Sequence, residues 1–317
     1  MTAASPLDYF LRSAGPATRP TLLLEWVFTG IVTTVCVVVA VLLLLAIVRR
    51  RTDGGADVIA RAGDGMRWVF IGTGCAVILL FGMSVYALIA LAEVARPPRP
   101  PALTIHVTGY DWWWKVDYPA AGGTPEFTTA NEIHIPTGVP VEIDLGSADV
   151  IHAFWVPALA GKTEMIPGVS NHQWIEADRP GIYRGQCTQF CGLQHAHMAF
   201  DVIAESPEAF AAWRQAQALP ARPSDDPEGI AGSTVFMDHC SGCHTVRGSA
   251  ASGDHGPDLT HLRSRRQIAA GTLDDTAPNL KLWVAHAQTV KPGAQMPDTA
   301  LSRTDANRLT VYLMELQ

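Results

Sequence analysis

Within twelve residues the chain places two thiols, an imidazole and a thioether: Cys187, Cys191, His195 and Met198. Thiolate and thioether are soft ligands and imidazole suits copper, so the set favours copper over magnesium or calcium. Zinc is the rival wherever Cys and His meet, but a thioether has little value to zinc. In a strand-loop-strand corner, two cysteines four apart let both sulfurs bridge a pair of copper ions, with His195 and Met198 returning as end ligands. Such a site lacks one histidine, and the apolar segment from Asp149 to Pro157 offers His152. His197 alternates to the face opposite Met198 and reads as a surface histidine. His106, His134 and His172 read as structural.

A second cluster is Cys240-Ser241-Gly242-Cys243-His244. Two cysteines three apart add to haem vinyl groups, and the adjacent His244 ligates the iron. The sixth ligand is Met296, in the downstream loop Gly293-Ala294-Gln295-Met296-Pro297. Methionine opposite histidine raises the reduction potential, as electron-transfer haems require. A zinc knuckle from Cys240, Cys243 and His244 would need strained ligation through adjacent residues. Arg266 reads either as a propionate partner or as a solvated arginine.

These centres need elements to hold them. With 48% hydrophobic and 17% charged residues the chain is apolar for a soluble protein, and the excess lies in its first hundred residues. Residues 1–20 are polar and lack the pattern of a signal peptide. No charged residue occurs from Trp26 to Val48, and about 23 residues at ~1.5 Å each cross a ~30 Å hydrocarbon core. A second such run covers residues 68–92. The loop between them carries Arg49, Arg50, Arg51, Arg61 and Arg67, which places it on the cytoplasmic side of a bacterial plasma membrane. Both termini and both redox clusters then lie outside, in the periplasm of a Gram-negative cell. The net charge of −7 gives no basic face for nucleic acid.

After the stiff spacer Arg96-Pro97-Pro98-Arg99-Pro100-Pro101 the hydrophobic period becomes two. Short runs at 103–107, 112–118, 132–135, 139–145 and 173–177 predict strands of an antiparallel sandwich or barrel. Ser206-Pro207 opens a helix through about Gln217, and 219–229 reads as a linker. The segment from Ile230 reads as helices around the Cys-Ser-Gly-Cys-His motif, ending in a helix from Leu301 to Leu316. The expected organisation is a tail and transmembrane hairpin over 1–95, a β-domain over 96–205, a helix and linker over 206–229, and an all-α domain over 230–317.

The segment 185–198 resembles the CuA loop of subunit II of haem-copper terminal oxidases. Gly109-Tyr110-Asp111-Trp112-Trp113-Trp114 resembles that family's aromatic strand, and 161–168 its loop facing subunit I. Residues 230–317 resemble a class I cytochrome c. The resemblance implies a cupredoxin-like Greek-key sandwich and a two-copper centre bridged by Cys187 and Cys191. One copper would add His152 and Met198, the other His195 and the main-chain carbonyl of Gln189. It implies Trp112 as the surface entry point for electrons, and the Pro257 carbonyl as the orienting partner of His244. The family places Glu where this chain has Gln189, which makes a magnesium at the subunit I boundary doubtful. Asp64 is not assigned the proton-channel role of the family's glutamate.

The function so implied is electron entry into a cytochrome c oxidase, from haem c to the copper pair and on to subunit I, where dioxygen becomes water. Partners would be subunits I and III, with a soluble cytochrome or a quinol:cytochrome c reductase as donor. No catalytic residue is expected in this chain. A nitric oxide reductase of the same copper type is the alternative, and a membrane-anchored copper carrier is the alternative from another class.

Overall fold

The computed structural model describes residues 12–49 and 65–317. Arg50, Arg51, Arg61 and Asp64, on which the loop and channel readings fell, lie outside the described residues. The chain divides into two compact units, one of residues 19–96 and one of the remainder.

The first unit is a pair of helices, α1 (Arg19–Val48) and α2 (Gly65–Val94), each of 30 residues. At ~1.5 Å per residue each is about 45 Å long, longer than the uncharged runs alone. Their large apolar side chains are exposed along almost the whole length, unlike those of a soluble core hairpin. Thr34 and Ser84 turn their hydroxyls onto the carbonyls of Gly30 and Leu80, so neither is left unsatisfied in an apolar medium.

The second unit holds a β-sandwich and a helical domain. One sheet runs β3 (Phe127–Ala130), β2 (Trp113–Tyr118), β1 (Leu103–Tyr110), β5 (Val141–Ser147), β8 (Asn171–Ile175). The other runs β4 (Glu132–Pro136), β10 (Ala199–Glu205), β9 (Gly181–Cys187), β6 (His152–Trp155), β7 (Lys162–Met165). Alternation along β1 and β2 sends Ile105, Val107, Trp114, Val116 and Tyr118 into the core between the sheets.

The sheets are mixed, not purely antiparallel. β1 pairs parallel with β5, and β4 parallel with β10. The cause is a crossing between sheets at Asn131, which sits between β3 and β4 at φ 62°. Asparagine tolerates that left-handed conformation, and its side-chain oxygen accepts from the Trp114 amide at 2.9 Å. Residues 13–18 also belong to this unit. Ala14 donates to the Ala158 carbonyl and accepts from the Asp178 amide, each at 2.8 Å.

Behind the sandwich, α3 (Pro207–Ala218) is capped by Ser206, as the sequence predicts. α4 (Pro227–His239) begins within the expected linker, because Asp226 caps it and Pro227 occupies its first turn. α5 (Ala277–Ala285), α6 (Ala287–Val290) and α7 (Arg303–Glu315) follow. Leu309, Tyr312 and Leu313 of α7 pack with Phe236 of α4 in a second core.

Candidate metal and haem sites

The thiolate loop spans β9 and β10 and is closed at its base, where the Cys187 amide donates to the Met198 carbonyl at 3.0 Å. Phe154 of β6 faces Cys187 across the sheet, which sets His152, two residues earlier, beside the loop. The Sγ atoms of Cys187 and Cys191 lie 3.7 Å apart. Around Cys187 Sγ stand His152 Nδ1 at 3.9 Å and the Gln189 carbonyl at 3.3 Å. Around Cys191 Sγ stand His195 Nδ1 at 3.5 Å and Met198 Sδ at 3.8 Å. All six sequence-predicted donors therefore meet at one pair of sulfurs.

His152 is wholly buried and Asp149 Oδ1 holds its Nε2 at 2.8 Å, which turns Nδ1 toward the sulfurs. Burial opposes ionisation of Asp149, but bonds from His152 and from the Val150 and Asp111 amides outweigh it and lower the pKa. Burial likewise opposes a charge on His152, but Asp149 and Cys187 raise its pKa to about 9. The Cys191 thiol lowers the Cys187 pKa most, against burial, and His152 adds to it, so Cys187 is the first of the pair to ionise. Cys187 and burial raise the Cys191 pKa in turn, so the second thiol keeps its proton until a cation takes its place. Two soft sulfurs with imidazole and thioether beside them fit copper. A Cβ on Gly109 would lie 2.8 Å from the His152 ring, so β1 passes this histidine only as glycine.

Trp112 lies just before β2, 9% exposed, with its ring against Gly192 of the loop. Its expected place at the surface is corrected by Lys291 and Gly293 of the helical domain, which cover it. As alternation predicts, Trp114 faces the core while Trp113 points away and stacks on Tyr110 at 4.7 Å. His197 is exposed and bonded to Gln194, and His134 lies between Glu132, Glu205 and Trp213, so neither joins the sulfurs.

In the helical domain Cys240 caps α4, and Cys243 and His244 follow in the next turn. Neither cysteine is in a disulfide. The Pro257 carbonyl accepts from His244 Nδ1 at 2.8 Å, which leaves Nε2 as the ligating nitrogen. Burial lowers the His244 pKa against that bond, keeping the imidazole neutral, as an iron ligand must be. The residues thus fit a covalent haem. Gln288 was not found from sequence. Its amide donates to the Ala294 and Met296 carbonyls, each at 2.7 Å, and shapes the Met296 loop. Arg266 pairs with Asp201 of β10 at 2.7 Å.

Comparison with known proteins agrees with this architecture. Residues 120–205 match the family model for the cytochrome c oxidase subunit II periplasmic domain, and residues 230–317 that for cytochrome c. Cytochrome c oxidase subunit 2 of Alkalihalophilus pseudofirmus is 37% identical over 215 residues, 67% of this chain and 61% of that protein. The Bacillus sp. counterpart is 31% identical, over 68% of this chain and 62% of its own. The periplasmic domain of subunit II of cytochrome oxidase from Bradyrhizobium japonicum is 32% identical, covering 38% of this chain and 95% of that one, with a TM-score of 0.35. The matched regions define a β-sandwich of the subunit II type with a cytochrome c domain behind it. The chain thus joins a domain of the cytochrome c oxidase subunit II periplasmic family to a domain of the cytochrome c family. It spans about three fifths of the length of these curated relatives.

Proposed function

We propose that this chain is the electron-entry subunit of a terminal cytochrome c oxidase, passing electrons from a covalent haem c to a dinuclear copper centre and on to subunit I. The observation that carries the reading is the arrangement of donors about the two sulfurs. His152 stands by Cys187 and Met198 by Cys191, so these four residues would hold one copper. His195 stands by Cys191 and the Gln189 carbonyl by Cys187, so with the same sulfurs they would hold the other. Bound there, a copper pair would supply a one-electron carrier. Cys240 and Cys243 would hold the haem covalently, with His244 and Met296 on its iron.

The chain's own residues prepare these sites. Asp149 fixes the His152 tautomer, the Pro257 carbonyl fixes that of His244, and Gln288 holds the Met296 loop. Gln189 offers a carbonyl but no carboxylate, so a magnesium at the subunit I boundary would need other ligands.

Subunits I and III are the proposed partners, and a soluble cytochrome or a quinol:cytochrome c reductase the donor. Both redox domains would lie on the outer face of the plasma membrane. Two features support that sidedness: Arg49 and Arg67 flank the loop between the helices, and residues 13–18 pack on the same sandwich that follows residue 97.

Purification from native membranes, with subunit identification, metal analysis and an optical spectrum, tests the reading. Co-purification with a haem-copper subunit I, two coppers and a haem c band support it. An isolated chain with no such partner would refute it.

A further inference from the structure

Three consecutive residues of the cytochrome domain, Ala269, Ala270 and Gly271, have φ of 53°, 55° and 78°. Two successive alanines in the left-handed region are uncommon and costly, and such segments persist only where the surroundings hold them. Here all three carbonyls are engaged. Ala269 accepts from Lys291 Nζ at 3.2 Å, Ala270 from the amide of Ala199 in β10 at 3.1 Å, and Gly271 from Arg184 of β9 at 3.0 Å. Two of the three partners belong to the sandwich, and the third binds it.

That third partner is Lys291, 3% exposed. An ammonium has three donors, and Lys291 spends them on three carbonyls from three segments. Trp112 accepts at 2.6 Å, His197 of the thiolate loop at 2.8 Å, and Ala269 takes the last. Burying an ammonium is unfavourable, and desolvation pushes the Lys291 pKa down to about 7 against the opposing charge of Cys191. The carbonyls offset that cost. Two residues on, Gly293 sits at φ 82°, and a Cβ there would lie 3.2 Å from Leu193 and 3.6 Å from the Trp112 ring. The loop carrying Met296 thus meets Trp112 where Lys291 ties it down.

We propose that Lys291 and the left-handed segment Ala269–Gly271 form a positioning latch that seats the haem loop on Trp112 and so sets the rate of electron transfer between haem c and the copper pair. Lys291 is a positioning residue, since it acts through the Trp112 and His197 main chain. The latch rests on the function proposed above, but its failure can be told apart from failure of that function.

The test uses the purified complex. Haem c is reduced by a photochemical flash reductant, and onward transfer to copper is followed optically in wild type and Lys291→Met. The variant keeps the side-chain length but no donors. Transfer in the variant is expected to be slower by a few-fold, since tunnelling between the centres weakens as the haem loop moves off Trp112. The haem band and the copper signal should both stay as in wild type. Amide exchange at Ala199, whose N–H is held by Ala270, should quicken. Arg184→Gln, which removes the guanidinium from the Gly271 carbonyl, should slow transfer in the same direction and keeps the test open should Lys291→Met not assemble. Wild-type transfer rates in either variant with both signals intact would overturn the latch. No transfer between the centres in wild type would overturn the proposed function.

Discussion

The indole N–H of Trp112 donates to the Cys191 carbonyl at 2.8 Å, tying the aromatic segment before β2 to the middle of the thiolate loop. The same residue's own carbonyl is held by Lys291 from the cytochrome domain at 2.6 Å. Trp112 is therefore bonded to both domains at once, one bond from a proposed bridging ligand.

Trp112→Phe keeps a ring in that place and removes the donor. The lost hydrogen bond should cost about 1 kcal/mol of stability and leave the buried Cys191 carbonyl unsatisfied. Electron delivery to copper should slow while the haem band is unchanged. Flash kinetics together with the copper near-infrared band would check this, and equal loss of both signals would contradict it.

Asp149→Asn removes the carboxylate that holds His152 Nε2. Partners of this kind are worth about 10- to 100-fold in metal affinity. Copper retention against a graded chelator should fall by that order. The haem spectrum should not respond.

Met296→Ala should shift the haem spectrum while the copper signal stays, because the two sites share no ligand. Gln288→Ala should act in the same direction but more weakly, through the loop carbonyls it holds. Paired optical and paramagnetic spectra decide the matter. Parallel change in both signals would mean that the two-site assignment is wrong.

His134 stacks on Trp213 at 3.9 Å between ring centroids, with Glu205 at 3.4 Å and Glu132 at 3.7 Å. Burial opposes its protonation, but the two carboxylates outweigh burial and raise its pKa above 6.5. A raised folded-state pKa gives stability that is fully present below the unfolded value and is lost as pH rises through the folded one. The wild type should thus lose stability relative to His134→Gln as pH climbs above about 6.5. Denaturation midpoints of both proteins across that range would show it, and parallel curves would exclude it.

The proposed ligands were legible in the sequence because they are local. Cys187, Cys191, His195 and Met198 fall in one loop, and Cys240, Cys243 and His244 in one helical turn, so spacing alone restricts what they can bind. Asp149 stands three residues from His152, yet only the turn into β6 brings its carboxylate to Nε2. Gln288 gave no signal, since its role depends on how α6 meets the Met296 loop. The parallel pairing of β1 with β5 follows from a sheet crossing at Asn131 that period-two alternation does not report. The ion pair of Arg266 was not legible because its partner, Asp201, is 65 residues away on another domain. Contacts between domains of one chain leave no periodic trace, and the seating of Trp112 beneath Lys291 is of that kind.

The central claim is that Cys187 and Cys191 bridge two coppers. Electron paramagnetic resonance of the oxidised chain tests it most directly. One unpaired electron shared over two equivalent copper nuclei, with that splitting lost in Cys187→Ser and Cys191→Ser, is the predicted result. Splitting from a single copper nucleus, or zinc in the site with no copper signal, would contradict the account.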